Sequence, residues 1–449
     1  MRRKTSFTVS DVPKFQRNLL VWAQKFDEVA WLDSNGHSDR YGAFDALLAV
    51  DGLTSLITDY HNAFTDLAEY RAGSGDWIFG YLGYDLKNDV EPLSSNNFDG
   101  LHFPDLYFFR PKKIVRIVGT TVDFLYLNLV EDEIKTDFEE ILEMEGRIDD
   151  DKKDSSIPNK RVGQGREDIR IKLRIFKDEY FARVRQLLAH IHRGDVYEAN
   201  FCQEFYAENT QIDPMGTYLK LNAISKAPFA SYLKLGDTFL LSASPERYLC
   251  KRGNKIISQP IKGTAGRSQE SSEDAALRSA LIEDVKERAE NVMIVDLVRN
   301  DLSKSAIRGS VQVEELCGIY SFEQVHQMIS TVTAEVPEDA NPIKIIQQTF
   351  PMGSMTGAPK ISAMKIIEKL ESFKRGLYSG AVGYFTPEGD FDFNVVIRSI
   401  LYNASEKYVS YAVGSAITAK SVPEREYEEC LLKAKAMREV LEAGSSPVT

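Results

Sequence analysis

The sequence predicts an α+β fold. Helix-period and strand-period stretches are mixed along the chain, without the strict strand–helix–strand rhythm of a parallel sheet. Hydrophobic residues make up 43% of the 449 residues, an ordinary fraction for a chain with a substantial core. Glycine-rich turns alternate with β-favouring runs in the first third, and long amphipathic stretches enter later.

The elements follow in order. Residues 1–145 read as a mixed N-terminal part. There, turns such as Arg71-Ala-Gly-Ser-Gly75 and Gly80-Tyr-Leu-Gly83 separate β-like runs such as Lys113-Ile-Val-Arg-Ile-Val118. Residues 146–168 carry charges, Ser, Pro, Asn and Gly with few apolar groups, the composition of a linker or mobile loop. Residues 169–442 form the third and regular part. Phe181, Val184, Leu188 and Ile191 give 179–192 a helical spacing. Thr238-Phe-Leu-Leu-Ser-Ala243 and Tyr408-Val-Ser-Tyr-Ala-Val413 read as strands. A single long helix is expected over 273–300, with Leu277, Leu281, Val285 and Val292 on one side. A last helix covers 424–442, and 443–449 form a tail. The length corresponds to roughly two or three domains of about 150 residues, or to one two-lobed unit.

Composition excludes several classes. A net charge of −12 disfavours nucleic acid and anionic membrane surfaces as partners. No stretch approaches the roughly 18 consecutive apolar residues of a membrane span. The basic start, Met-Arg-Arg-Lys-Thr-Ser, is not followed by an apolar core of signal-peptide length. Cys202, Cys250, Cys317 and Cys430 form no Cys-x-x-Cys pair and read as free thiols in a reducing cytoplasm.

Candidate chemistry centres on Lys262, in Ser258-Gln-Pro-Ile-Lys-Gly-Thr-Ala-Gly266. β-favouring residues precede it, so the residue is expected at a strand end. A lysine becomes a nucleophile once burial or a nearby cation lowers its pKa; the bland reading is a turn lysine in solvent. Three glutamates stand out: Glu246 in Ser242-Ala-Ser-Pro-Glu-Arg247, Glu290 on the long helix, and Glu429 on the last one. Glu429 and Lys433, four apart, share one helix face, as a solvated ion pair also would. Glu290 and Glu429 suit Mg²⁺, which takes one or two protein carboxylates and fills its shell with water and substrate oxygens. Glu290 reads equally as a charge on the wet side of its helix. The six histidines are scattered, so no softer metal competes. Gly353-Ser-Met-Thr-Gly-Ala-Pro-Lys360 and Gly414-Ser-Ala-Ile417 are glycine turns that can present N–H groups to an anion. Arg398, at the end of an apolar run, reads as a bidentate carboxylate partner or as a solvent-facing strand-end charge.

Together these segments resemble the chorismate-utilising enzymes, a family that includes anthranilate synthase component I, aminodeoxychorismate synthase component I, and isochorismate and salicylate synthases. The resemblance is carried in order by Gly194-Asp-Val-Tyr-Glu-Ala-Asn200, Ser244-Pro-Glu-Arg247, Pro260-Ile-Lys-Gly-Thr264, Glu290 to Asp301, Gly353 to Lys360, Gly380-Ala-Val-Gly-Tyr384 and Glu429 to Lys433. It implies two orthogonally packed, antiparallel-rich sheets with helices outside and the active site at their edge. It also implies roles. Glu290 and Glu429 hold Mg²⁺ on the ring carboxylate of chorismate. Arg398, Tyr378 and Lys433, with backbone at Gly414, Ser415 and Ala416, hold the carboxylates. Gly263 and Thr264 touch the ring.

Within the family, lysine in the Pro-Ile-x-Gly-Thr motif resembles the members that aminate C4 rather than C2. Lys262 is then expected to attack C2 while Glu246 protonates the departing 4-hydroxyl, and ammonia adds at C4. Mg²⁺ beside the ring opposes protonation of the lysine. The product is 4-amino-4-deoxychorismate, a precursor of p-aminobenzoate and folate. No Gly-x-Cys-x-Gly nucleophile turn is present, so ammonia is expected from a separate glutamine amidotransferase subunit. Two departures stand in the nucleophile pocket. Glu198 replaces the family's usual Gln, and Gln327 stands where His is common, with His326 shifted by one. The two changes are expected to compensate, with Glu198 helping to hold ammonium or the leaving hydroxyl. The family often binds tryptophan in its N-terminal part; Ser34, Pro228 and Phe229 are the matching places. The competing readings are anthranilate synthase component I, then isochorismate or salicylate synthase, which carries lysine where Glu198 stands. A non-catalytic tryptophan-binding subunit is the reading from another class.

Overall fold

The computed structural model describes residues 1–144, 169–323 and 325–442. The linker expected at 146–168 and the tail at 443–449 lie outside the described residues. Among the described residues, twenty strands join in one hydrogen-bonded network whose strand pairings are antiparallel. Helices cover its outside, so the α+β expectation is met.

Two 13-residue strands, Ala46–Thr58 and Leu106–Val118, organise the network. They pair along their whole length, with a bulge between Gly52 and Thr54 opposite Pro111. A bulge bends a strand, and bent strands make the corners of orthogonally packed sheets. One half of Leu106–Val118 pairs with Ile78–Leu82, and the other half with Thr121–Leu127. From the first half a layer continues through Ala381–Phe385, Phe391–Val395, Arg247–Arg252, Lys255–Gln259 and Val325–Glu335. From the other side a second layer runs through Glu28–Asp33, Phe229–Leu235, Thr238–Ser244, Ser399–Asn403, Tyr408–Thr418 and Glu198–Ala207. The two sheets implied by the resemblance are therefore joined through this bent pair.

Side-chain alternation distributes the core accordingly. One apolar cluster takes Leu47, Leu233 and Leu401 from the second layer and Phe79, Leu249 and Phe393 from the first, so it fills the space between them. The other lies between the second layer and the helices Lys177–Arg193, Lys360–Leu370 and Pro423–Glu442. No helix among the described residues is long and apolar enough to cross a membrane.

Two local expectations are corrected. The single helix over 273–300 is two helices, Ser271–Glu283 and Val285–Ser303. Asp284 takes extended backbone (φ −66°, ψ 110°) and its side chain accepts from Lys286 N and Glu287 N. Such an N-cap contributes about 1 kcal/mol and starts a new helix out of phase with the first. The predicted stripe therefore fails beyond Leu281: Val285 is 82% and Val292 47% exposed. The buried face of the second helix is Asn291, Ile294, Val295, Val298 and Leu302. The second correction concerns Lys262. The strand that precedes it ends at Gln259, and after Pro260 the lysine lies inside a new strand, Ile261–Gly266, paired with Val325–Glu335.

Candidate active site

Lys262 sits where the free ends of the two layers meet. Its strand lies at the edge of the first layer, and Glu198 opens the last long strand of the second. The amine donates to Glu198 Oε1 at 2.8 Å, with both side chains largely buried. The backbone of Lys262 is held by Asn291, fully buried on the helix Val285–Ser303. Asn291 Nδ2 donates to the carbonyls of Lys262 at 3.1 Å and Met328 at 3.2 Å. Gly263 follows with φ +97°, a conformation that L side chains rarely adopt, and a Cβ there would lie 3.1 Å from Met328 Cβ. Thr264 is exposed and lies opposite Gln327 in the register.

The charge state of Lys262 differs from the expectation. Burial pushes its pKa down, but Glu198 first, then Glu290 and Glu246, override burial and hold it above the usual lysine value. The amine is an ammonium in this arrangement. Glu246 behaves oppositely. It is buried between the strands Thr238–Ser244 and Arg247–Arg252, and burial raises its pKa to about 7 despite Ser354 and Lys262. Glu246, Ser258, Pro260, Asp301, Gly353 and Ser354 line one cavity, so four of the quoted segments converge there. A buried ion pair fastens two of them: Lys360 Nζ donates to Asp301 Oδ2 at 2.5 Å and to Thr349 O at 3.0 Å. The segment before Lys360 does not simply open the helix. Gly357 and Ala358 pair instead with Ala199 and Glu198.

Glu290 and Glu429 approach from two helices and share a cation. Lys286 Nζ is 3.6 Å from Glu290 Oε1, and its pKa is raised by Glu290, Glu287, Glu426 and Glu429 against burial. Burial raises Glu290 to about 7, tempered by Lys262 and Lys286. Glu429 lies below the usual carboxylate value, because Lys433, Lys286 and Lys262 outweigh its burial. Lys433 Nζ contacts Glu429 Oε1 at 2.5 Å and donates to Gly414 O at 2.9 Å, which ties the last helix to the strand Tyr408–Thr418. Glu287, Glu290, Glu426 and Glu429 all act on Lys286, while Lys262 offsets Glu290 and Glu429 and Lys433 pairs with Glu429. No cluster of three or more His, Cys, Asp or Glu side chains suited to a metal occurs among the described residues. Mg²⁺ takes only one or two protein carboxylates, and Glu290 and Glu429 would supply them from two helices.

Arg398 is a cation within the electrostatic reach of Glu429. Arg398 has φ +52° and is half-buried; its guanidinium makes no hydrogen bond or ion pair among the described residues. Burial lowers its pKa, with Tyr378 and Glu429 acting the other way. A guanidinium without a side-chain partner has its planar fork of donors free for a carboxylate. Tyr378 is buried with its hydroxyl 3.8 Å from Cys202 Sγ. Gly414, Ser415 and Ala416 lie opposite Cys202, Phe201 and Asn200. A Cβ at Gly414 would fall 2.4 Å from Cys202 Sγ, so only glycine fits.

Of the two departures from the family pattern, Glu198 pairs with Lys262. Gln327 is buried and its Oε1 has no partner among the described residues, while His326 faces Ser321 and Asp274. Pairing of Asp33 with Ala230 sets Ser34 beside Phe229 and Pro228, so the three tryptophan candidates are brought together. Sequence reasoning missed a buried pair beneath the site. Arg375 donates to Glu371 at 2.6 and 2.9 Å, to Asn200 O at 2.8 Å and to Met355 O at 2.7 Å, and Glu371 accepts from Cys202 N. Its only sequence signal, opposite charges four apart, reads as a solvent-facing pair.

The chain matches the family model of chorismate binding enzymes over residues 27–439. It is 42% identical over 276 residues to an aminodeoxychorismate synthase of Streptomyces griseus, which covers 61% of this chain and 38% of that protein. It is 34% identical over 369 residues to anthranilate synthase component 1 of Thermus thermophilus, covering 82% and 78%. The chain spans less than half the length of the Streptomyces protein and of a rice relative of the same kind, 38% and 44%. Among solved structures, anthranilate synthase component I of Streptococcus pneumoniae aligns with a TM-score of 0.72 at 25% identity, over 90% of this chain and 94% of that one. The menaquinone-specific isochorismate synthase of Escherichia coli shares the fold, with a TM-score of 0.72 at 16% identity over 98% and 95%. With the model covering nearly the whole chain and the quoted segments meeting around Lys262, this protein belongs to the chorismate binding enzyme family.

Proposed function

We propose that this chain aminates chorismate at C4 with ammonia, giving 4-amino-4-deoxychorismate by way of lysine attack at C2. The observation that carries this reading is the buried amine of Lys262, ringed by Glu198, Glu246 and Glu290 at the junction of the layers. Amination at C4 with retained stereochemistry takes two displacements, and a fixed amine supplies the first. Lys262 attacks C2 while Glu246 donates its proton to the departing 4-hydroxyl. A carboxyl group with a pKa of about 7 is half protonated at neutral pH, which suits a general acid. Ammonia then attacks C4 and the lysine departs. Arg398, beside Tyr378, grips a substrate carboxylate, and Lys433 steadies the backbone at Gly414. Glu290 and Glu429 would hold Mg²⁺, which when bound supplies positive charge to the ring carboxylate. Ammonia comes from a separate glutamine amidotransferase subunit, and Ser34, Pro228 and Phe229 are the place for tryptophan.

Amination at C2 to anthranilate is the second reading, favoured by the 34% identity to the Thermus thermophilus anthranilate synthase. One experiment tests both. The purified chain receives chorismate, Mg²⁺ and ammonium salt, alongside Lys262→Ala. We expect a product that retains the enolpyruvyl group from the parent chain. Lys262→Ala loses C4 amination. Fluorescent anthranilate from the parent chain would overturn the C4 reading, and undiminished aminodeoxychorismate from Lys262→Ala would remove the covalent route.

A further inference from the structure

We propose that Glu198 is a catalytic residue: it takes the proton from the Lys262 ammonium, making that amine the nucleophile, and returns it when the amine departs. This role rests on the C4-amination reading above. The geometry is the argument. Lys262 Nζ and Glu198 Oε1 are 2.8 Å apart, with side-chain exposures of only 13% and 5%. Neither side chain has another hydrogen-bond partner among the described residues, so a proton leaving the amine has one acceptor within reach. The other carboxylates facing the amine are Glu246 from the inter-strand turn, Glu287 and Glu290 from the helix Val285–Ser303, and Glu429 from the last helix. They hold its charge at a distance without a hydrogen bond.

Both ends of the pair are fixed by backbone. Asn291 clamps the carbonyl of Lys262. Glu198 lies between Thr418 and Ala358 in the sheet. Gly357 allows that contact, since a Cβ there would lie 2.1 Å from Glu198 O. A pair held this way needs no side-chain search before proton transfer.

The step balances. The ammonium gives one proton to Glu198, and the amine's lone pair forms the N–C2 bond. The C4–O bond breaks, and its oxygen leaves as water with the proton of Glu246. The lysyl nitrogen now bears two hydrogens and a positive charge. The lone pair of ammonia forms the C4–N bond, the C2–N bond breaks, and its electrons return to Lys262 as a neutral amine. Glu198 returns its proton to Lys262, and the product ammonium reprotonates Glu246. The net reaction is chorismate plus ammonia giving aminodeoxychorismate plus water.

Glu198→Gln keeps the shape and removes the acceptor. With chorismate, Mg²⁺ and ammonium salt, kcat for C4 amination is expected to fall about 100-fold with KM for chorismate unchanged. In parallel, labelling of Lys262 by acetic anhydride across pH, read by mass spectrometry, should begin at lower pH in Glu198→Gln than in the parent chain. Equal or higher kcat in Glu198→Gln would overturn the proposal, and so would an unchanged labelling midpoint. Should Glu198→Gln not fold, Glu198→Asp carries the kcat readout, with a smaller loss expected and no loss overturning the role. Lys262→Ala separates the two readings. If Lys262→Ala retains aminodeoxychorismate output, the parent reading fails. If it is inactive while Glu198→Gln is not impaired, only the role of Glu198 fails.

Discussion

Replacing Glu246 by Gln should stabilise the protein while disabling it. The Glu246 carboxyl is buried, and its pKa rises from 4.5 to about 7 because burial penalises the charged form more than Ser354 and Lys262 favour it. The folded chain therefore binds a proton that the unfolded chain has released between those two pH values. Stability falls as pH rises through that window and stays lowered above it. At 1.36 kcal/mol per pKa unit, a shift of about 2.5 units corresponds to roughly 3 kcal/mol. The group is enclosed, so solvent screening removes little of this. Glutamine has the same shape and carries no charge. Glu246→Gln should thus match the parent chain at about pH 4.5 and exceed its stability by up to about 3 kcal/mol at about pH 8. Urea unfolding followed by tryptophan fluorescence at a series of pH values measures the difference. The same variant should lose roughly 100-fold or more in kcat, since amide cannot donate the acid proton. A stability difference that does not grow with pH, or a variant less stable than the parent at about pH 8, would refute the argument that burial governs this carboxyl.

Two further outcomes follow from the charges around the site. Arg398→Lys exchanges a two-pronged donor for a single ammonium and should raise KM for chorismate roughly 10- to 100-fold, the worth of a charge-assisted hydrogen bond of about 1.5–3 kcal/mol. An unchanged KM in steady-state assays would remove Arg398 from the substrate contacts. Glu290→Gln removes one of two proposed Mg²⁺ carboxylates and should weaken Mg²⁺ binding about 10-fold or more in calorimetric titration without substrate. Equal affinity would exclude Glu290 as a ligand.

Much of the fold was legible because period and burial agree. The helix Lys177–Arg193 and the last helix, Pro423–Glu442, each bury one side. The strands Thr238–Ser244 and Tyr408–Thr418 are short β-favouring runs buried on both faces, so their patterns are clean too. The stretch over 273–300 misled because Glu283-Asp-Val285 contains no Gly or Pro. The break is made by a conformation and a cap at Asp284, residue types common within helices as well. Gly357 and Ala358 read as a helix entry, yet their backbone completes a sheet edge that only the distant Glu198 strand can supply.

The site was legible as a set of residues but not as a set of charges. Lys262, Glu246, Glu290 and Glu429 were each found from local sequence, whereas a pKa depends on which of them face one another. Burial alone argues that Lys262 loses its proton and that a glutamate keeps one. For Glu246 that argument holds, because only the Ser354 hydroxyl and Lys262 oppose its full burial. For Lys262 it reverses, because three carboxylates, Glu198 nearest, outvote burial. Glu198 lies 64 residues away in sequence and meets the amine only through the junction of two sheets. The sign of the shift is thus a property of the topology. A nucleophilic lysine here cannot be made by burial; it needs a partner that accepts the proton, and the strand register places one carboxylate within reach.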